Sequence, residues 1–227
     1  MKLIQPLQAL LLCVASLIPG TGFAQQTSRA SEPARDTGPH SALLDRAAES
    51  RTKGSPDAAV LVYEIADFQC PFCAQFATDI FPHLDSAYIA TGRVQWVFVN
   101  LPMPSHPHAW IATEAALCAG AVSDRFWIMH DRLFVAGREW ISAADPAVVL
   151  ARYAREAGVD MDAYTKCVDG DRVAQIILQD VIFGSRVTGT PTFVVSNRST
   201  NQQQTLVGVK SVGEWREVLD MLLRAKD

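Results

Sequence analysis

The stretch FQCPFCAQF, residues 68–76, places Cys70 and Cys73 three positions apart, with Pro71 and Phe72 between them. Such a pair can be half of a zinc site, an inert disulfide, or a couple that cycles between dithiol and disulfide. A zinc site needs a second pair of ligands at metal spacing, and Cys118 and Cys167 are isolated singletons. No metal site is therefore expected. Proline is favoured at the first helical position, so a helix should begin at Pro71 with Cys70 as its cap. Free N–H groups and the helix dipole favour negative charge at that end. The thiolate is the attacking species, so this placement suits a reactive nucleophile at Cys70. Cys73, one turn further in, should be more buried and act as the resolving thiol.

Glu64 is the other candidate for chemistry near the pair. It interrupts the apolar run VLVYEIA (60–66), six residues before Cys70. Buried carboxylates are rare unless paired or used. One reading makes Glu64 a proton acceptor, through water, for Cys73. The other puts it at a sheet edge with its carboxylate in water, paired with Lys210. Asp67 reads as a turn or cap residue at the strand end. His106 and His108 flank Pro107 at a helix start and read as helix-entry and surface residues; His83 and His130 have no nameable partner. Trp96, Trp110, Trp127, Phe126 and Phe134 read as core.

The elements that must position these residues follow from pattern. VLVYEIA is a continuous apolar run, consistent with a strand buried on both faces. The helix from Pro71 carries Phe72, Phe76 and Ile80 on one stripe, and Pro82 should kink or end it. RVQWVFVN (93–100) is the next strand, giving a βαβ unit with a parallel pair. Residues 106–187 read as helical throughout, with Asp145-Pro146 and Asp160 as helix starts. TGTPTFVVSN (188–197) turns into a strand, and QQTLVGVK (203–210) reads as its hairpin partner. Ser211 and Glu214 make a capping box for a last helix with Val212, Trp215, Leu219 and Leu222 facing inward.

The ends bound the compartment. Lys2, an apolar run from Leu7 to Ile18 and the small-x-small pattern Gly22-Phe23-Ala24 read as an export signal, residues 1–24, cut after Ala24. The run is shorter than the ~20 residues that span a bilayer. Residues 25–56 read as a flexible leader with a short helical candidate around Ser41 to Glu49. The net charge of −4 gives no basic surface for nucleic acid. Beyond the signal remain Cys70, Cys73, Cys118 and Cys167, an even count that points to disulfide chemistry in an exported protein.

The motif DFQCPFC, the threonine-proline of GTPTF about 120 positions on, and the helical block between them resemble the DsbA-like branch of the thioredoxin superfamily over residues 57–225. The resemblance implies an α/β thioredoxin fold. Its first part would be 57–105 and its second 188–227, with a helical domain, 106–187, inserted between the halves. It implies that the Thr190–Pro191 bond is cis and faces the thiols, with Thr190 offering backbone to a substrate chain and a hydroxyl within reach of Cys70. It implies a structural disulfide between Cys118 and Cys167. Phe72 stands where some relatives carry a histidine. It cannot donate a hydrogen bond to Cys70, so a less extreme oxidant is expected, with Phe72 as an apolar surface for substrate.

The function implied is an exported, periplasmic thiol–disulfide oxidoreductase that passes the Cys70–Cys73 disulfide to reduced or misoxidised exported proteins. It would need no cofactor, and a membrane quinone-linked thiol oxidase would reoxidise it. Alternatives are a disulfide isomerase or reductase kept reduced by a membrane reductase, and a copper(I)-binding periplasmic thiol protein. A glutathione-linked transferase shares the helical insertion but is typically cytosolic.

Overall fold

In the computed structural model, which describes residues 38–225, the apolar runs pair into one five-stranded mixed sheet. Its strands are β1 (Thr52–Lys53), β2 (Val60–Ala66), β3 (Val94–Asn100), β4 (Thr192–Asn197) and β5 (Gln203–Val207), in spatial order β1-β3-β2-β4-β5. β2 is central, parallel to β3 and antiparallel to β4, so Glu64 lies between Phe98 and Phe193. A strand covered on both faces can be apolar throughout, which is why VLVYEIA does not alternate cleanly. The expected export signal, residues 1–24, lies outside the described residues. No helix among those described is long and apolar enough to cross a membrane.

The flexible leader expected over 25–56 needs correction from residue 38 onward. Helix α1 (Pro39–Ser50) is followed directly by β1, which pairs antiparallel with β3. Leu43 and Ala47 are one helical turn apart and both are buried. They pack against α4 (Ala109–Ser123). There a β-carbon at Gly120 would run into Ser50 Oγ, so only glycine permits this approach. Arg46 Nε donates to the Ala121 carbonyl at 2.8 Å, and Arg51 pairs with the buried Asp180.

The helical run that starts at Pro71 does not end at Pro82. It passes from α2 (Pro71–Gln75) through a π-turn, Phe76–Ile80, into α3 (Phe81–Leu84) and a second π-turn to Ile89. The Phe81 N–H bonds back five residues to the Phe76 carbonyl. This widened turn accommodates a ring that would otherwise clash one turn back. It also shifts the stripe: Phe76 and Phe81 point inward while Phe72 is 61% exposed.

Phe76 packs with Trp96, Phe193 and Trp215 under the sheet, with ring centroids 4.5–6.0 Å apart. Trp215 comes from the last helix, Val212–Arg224, whose capping box of Ser211 and Glu214 is formed. Between β3 and β4 stand α4, α5 (Phe126–Val135), α6 (Gly137–Ile141), α7 (Pro146–Glu156), α8 (Met161–Val168) and α9 (Ala174–Phe183). Asp145 and Asp160 cap α7 and α8 with their side chains. The small residues Ala112, Ala115, Ala116 and Ala119 of α4 are all buried, which lets the neighbouring helices close around it. Cys118 on α4 and Cys167 on α8 form a disulfide, their Cα atoms 5.8 Å apart. This is the thioredoxin fold, β-α-β then β-β-α, with helices inserted between its halves.

Candidate active site

Cys70 is the N-cap of α2, in extended conformation, with Pro71 as the first helical residue. Its backbone carbonyl accepts from the Ala74 N–H at 3.0 Å, the first bond of the helix. Cys73 lies one turn on and is fully buried. Both are free thiols. The loop before β4 closes over the pair: the Thr190–Pro191 bond is cis, and Cys70 Sγ lies 3.4 Å from the Thr190 carbonyl oxygen. Thr192 Oγ1 donates to the Gly189 carbonyl at 2.7 Å, and the Gly208 N–H of the hairpin donates to the Pro191 carbonyl at 2.8 Å. The loop is thus fixed from two sides.

The two thiols have opposite acidity. A hydrogen bond from the Cys73 side chain is the largest influence lowering Cys70, to about 6 from an ordinary value near 9. Partial burial opposes it; the Thr190 side chain and the N–H groups of Cys73 and Phe72 lower it further. Cys73 goes the other way. Burial raises it most, and the hydrogen bond and charge of Cys70 raise it again. The pair therefore holds one nucleophile and good leaving group beside one protonated thiol.

Glu64 is 1% exposed on the central strand, not at an edge, and its partner is Trp96 rather than Lys210. Trp96 Nε1 donates to Oε2 at 2.7 Å, while Oε1 has no partner among the described residues. Burial lifts this carboxyl to about 8, against the smaller lowering by Trp96. Its side chain shares the sheet face of Trp96 and Phe193, the face that the CxxC helix covers. The carboxyl is therefore protonated at neutral pH.

Asp67 has more to do than the turn role the sequence suggests. Its carboxylate accepts from the Gln69 and Met103 N–H groups at 2.6 and 2.7 Å and pairs with His106 Nδ1 at 2.8 Å. His108 stays at the helix entry, its N–H donating to Gln69 Oε1 at 2.9 Å. His130 is buried among Phe68, Phe98, Phe126 and Phe134, and burial lowers its pKa.

Sequence reasoning missed the wall opposite the thiols. A groove of roughly 860 Å³ runs beside Cys70, Pro71 and Ala74, bounded across by Phe134, Val135 and Ile141. Val135 is 71% exposed, and Phe72 stands open on the thiol side. Glu139, on the same wall, is held by Tyr153 OH at 2.5 Å and by Arg152. The exposed apolar residue at the end of α5 is the one signal in the sequence, and it has meaning only once α5 faces α2.

Residues 46–212 match the family model described as Thioredoxin. The chain is 38% identical over 149 residues to a Salinispora tropica protein named Na(+)/H(+) antiporter NhaA 3, a match covering 64% of this chain. The chain spans only 21% of that relative's length. It is 26% identical over 156 residues to a Bacillus anthracis protein named probable disulfide bond formation protein D, covering 65% of this chain and 70% of that one. Among solved structures, alpha-DsbA1 of Wolbachia pipientis is similar in fold: TM-score 0.67, 21% identity, with 76% of this chain and 90% of that one covered.

Proposed function

The chain belongs to the thioredoxin family, and we propose that it is an exported thiol–disulfide oxidoreductase acting as a disulfide donor to other exported proteins. The observation that carries the reading is the pairing of an acidic Cys70 thiol with a buried, protonated Cys73 under the Thr190–Pro191 loop. In the oxidised form a substrate thiolate attacks Cys70 Sγ. The Cys70–Cys73 bond breaks, a mixed disulfide forms, and Cys73 leaves with the electron pair and takes a proton. Glu64, protonated near neutrality, is assigned to supply that proton through water. A second substrate thiolate then attacks its partner sulfur and expels Cys70 as a thiolate. The substrate gains a disulfide and the protein ends as the dithiol.

Donation is favoured over reduction because a stabilised Cys70 thiolate stabilises the reduced protein, making its disulfide the better oxidant. The same acidity makes Cys70 the better leaving group in the last step. The names of the disulfide-bond-formation relatives support this direction. An isomerase that dimerises through an N-terminal helical stalk would need that helix free, whereas α1 packs against α4 of its own chain. A membrane quinone-linked thiol oxidase is the partner assigned to restore the disulfide, in keeping with the sequence signal for export.

Trapping tests the reading. Cys73→Ser should accumulate mixed disulfides between Cys70 and exported proteins, visible on a non-reducing gel and lost on adding a thiol. Cys70→Ser should trap none. Equal trapping by both variants, or by neither, would remove the oxidoreductase assignment.

A further inference from the structure

Asp67 is joined both to the thiol pair and to the loop that leads into the helical block. Its side chain is wholly buried, and its ion-pair partner among the described residues is His106. One carboxylate oxygen accepts from the Gln69 N–H; the other accepts from Met103 N–H and His106 Nδ1. A carboxylate accepts only, so Nδ1 carries the proton in this bond. Met103 and His106 belong to the segment between β3 and α4. The same segment sends the Leu101 N–H to the Ala66 carbonyl at 2.8 Å and the His108 N–H to Gln69 Oε1 at 2.9 Å. Four donors from one loop thus converge on residues 66–69, immediately before Cys70.

The backbone of Asp67 completes the connection. Its carbonyl accepts from the Cys70 N–H at 3.1 Å, and its backbone is among the groups that lower Cys73 against the larger effect of burial. We infer that Asp67 and His106 form a clasp that positions the Cys70–Cys73 pair, with His106 acting through the buried carboxylate rather than on substrate. The inference rests on the reading of the two cysteines as a redox couple. The hydrogen bond to Cys70 from Cys73 depends on where the 67–70 turn sits. If the clasp opens, Asp67 is free to rotate, the turn loosens, and Cys73 loses its register with Cys70.

A purely structural His106 would affect stability without affecting the thiols, so the test reads the thiols. Three variants are compared with the parent: His106→Ala, which removes the donor; His106→Asn, whose amide nitrogen can take the place of Nδ1; and His106→Gln, whose amide reaches toward the Nε2 position instead. Two quantities are measured, the pH midpoint of Cys70 thiolate absorbance and the equilibrium constant of the pair with glutathione. His106→Ala should move the midpoint upward and shift the glutathione equilibrium about tenfold toward the protein disulfide, the scale of one hydrogen bond to a charged group. His106→Asn should return both close to parent values. Should His106→Ala fail to fold, Asn near parent and Gln displaced from it gives the same support. Variants with parental midpoint and equilibrium, whatever their melting temperature, overturn the clasp, and so do Asn and Gln displaced equally. A parent protein that does not equilibrate with glutathione overturns the redox reading and the clasp with it. A parent that equilibrates beside an unaltered His106→Ala overturns the clasp alone.

Discussion

Cys70 Sγ meets the backbone carbonyl oxygen of Thr190 at 3.4 Å, across 120 positions of sequence. A thiol can donate to that carbonyl; a thiolate cannot, and would be repelled by it. What holds the thiolate is the Cys73 thiol first, then the Thr190 side chain and the N–H groups of Cys73 and Phe72. The carbonyl is thereby left available to a substrate chain once the sulfur is engaged.

The first prediction concerns that thiolate. Ultraviolet absorbance of the reduced protein should titrate near pH 6 for Cys70, well below its ordinary value. The stability consequence has a definite sign. A depressed thiol contributes stability that is complete above its unfolded value near 9 and is lost as pH falls through about 6. The oxidised protein has no such thiolate. The melting temperature of the reduced form should therefore rise relative to the oxidised form from pH 6 toward pH 9. A Cys70 midpoint above about 7.5 would show that the helix start does not activate it.

How far the site was legible in the sequence depends on the range of the interactions. VLVYEIA, the Cys70-Pro71 helix start and the Ser211–Glu214 capping box are local patterns, and each formed as expected. The helical candidate around Ser41 to Glu49 formed as α1, but its packing into the core was not foreseen because that depends on Gly120, some 70 positions away, which no local pattern marks. Of the two outcomes expected at Pro82, an end to the helix did not occur, because a π-turn just before it relieves the proline clash and the helical run continues. Asp67 looked like a turn residue, and it is one through Gln69; its bonds to Met103 and His106 cross between loops and leave no periodic trace.

Glu64 carries the second prediction. Its pKa is raised by burial, so the stability it allows is complete below its unfolded value of 4.5 and is lost as pH rises through about 8. Glu64→Gln can still accept from Trp96 and never ionises. The variant should match the parent in stability near pH 4 and exceed it by roughly 3 kcal/mol at pH 7. If Glu64 also carries the proton of Cys73, the variant should resolve mixed disulfides more slowly in stopped-flow measurements. Denaturant curves that show no pH-dependent gap between the two proteins would mean the carboxyl is solvated in the folded state.

The disulfide of the helical block should contribute stability and not chemistry. Cys118 and Cys167 are 49 positions apart, and the structure joins α4 to α8 through them. On the chain-entropy account a loop of that length contributes about 4 kcal/mol. Cys118→Ala with Cys167→Ala should lower the unfolding free energy by about 2–4 kcal/mol, while the Cys70 midpoint and the glutathione equilibrium stay at parent values. Mild reduction of the parent should free two thiols, Cys70 and Cys73, with the other pair released only on unfolding. Four thiols alkylated in the native oxidised protein would remove this bridge.

The last prediction concerns the groove beside Cys70. Its far wall offers Val135, which is 71% exposed. If a substrate chain lies in the groove, a large apolar residue near its cysteine should cover Val135 and Ile141. Val135→Asp would then leave a carboxylate against that residue, while Cys70, Cys73 and the Thr190–Pro191 loop keep their geometry. The KM for a dithiol peptide with such an apolar residue should rise about five- to tenfold, the scale of one valine side chain left unburied. The KM for a peptide with serine in its place should change little, and exchange with glutathione, too small to fill the groove, should match the parent. A uniform loss across all three substrates would trace the defect to the thiols rather than the wall. Parental kinetics with the apolar peptide would mean that substrate does not lie between α2 and the end of α5.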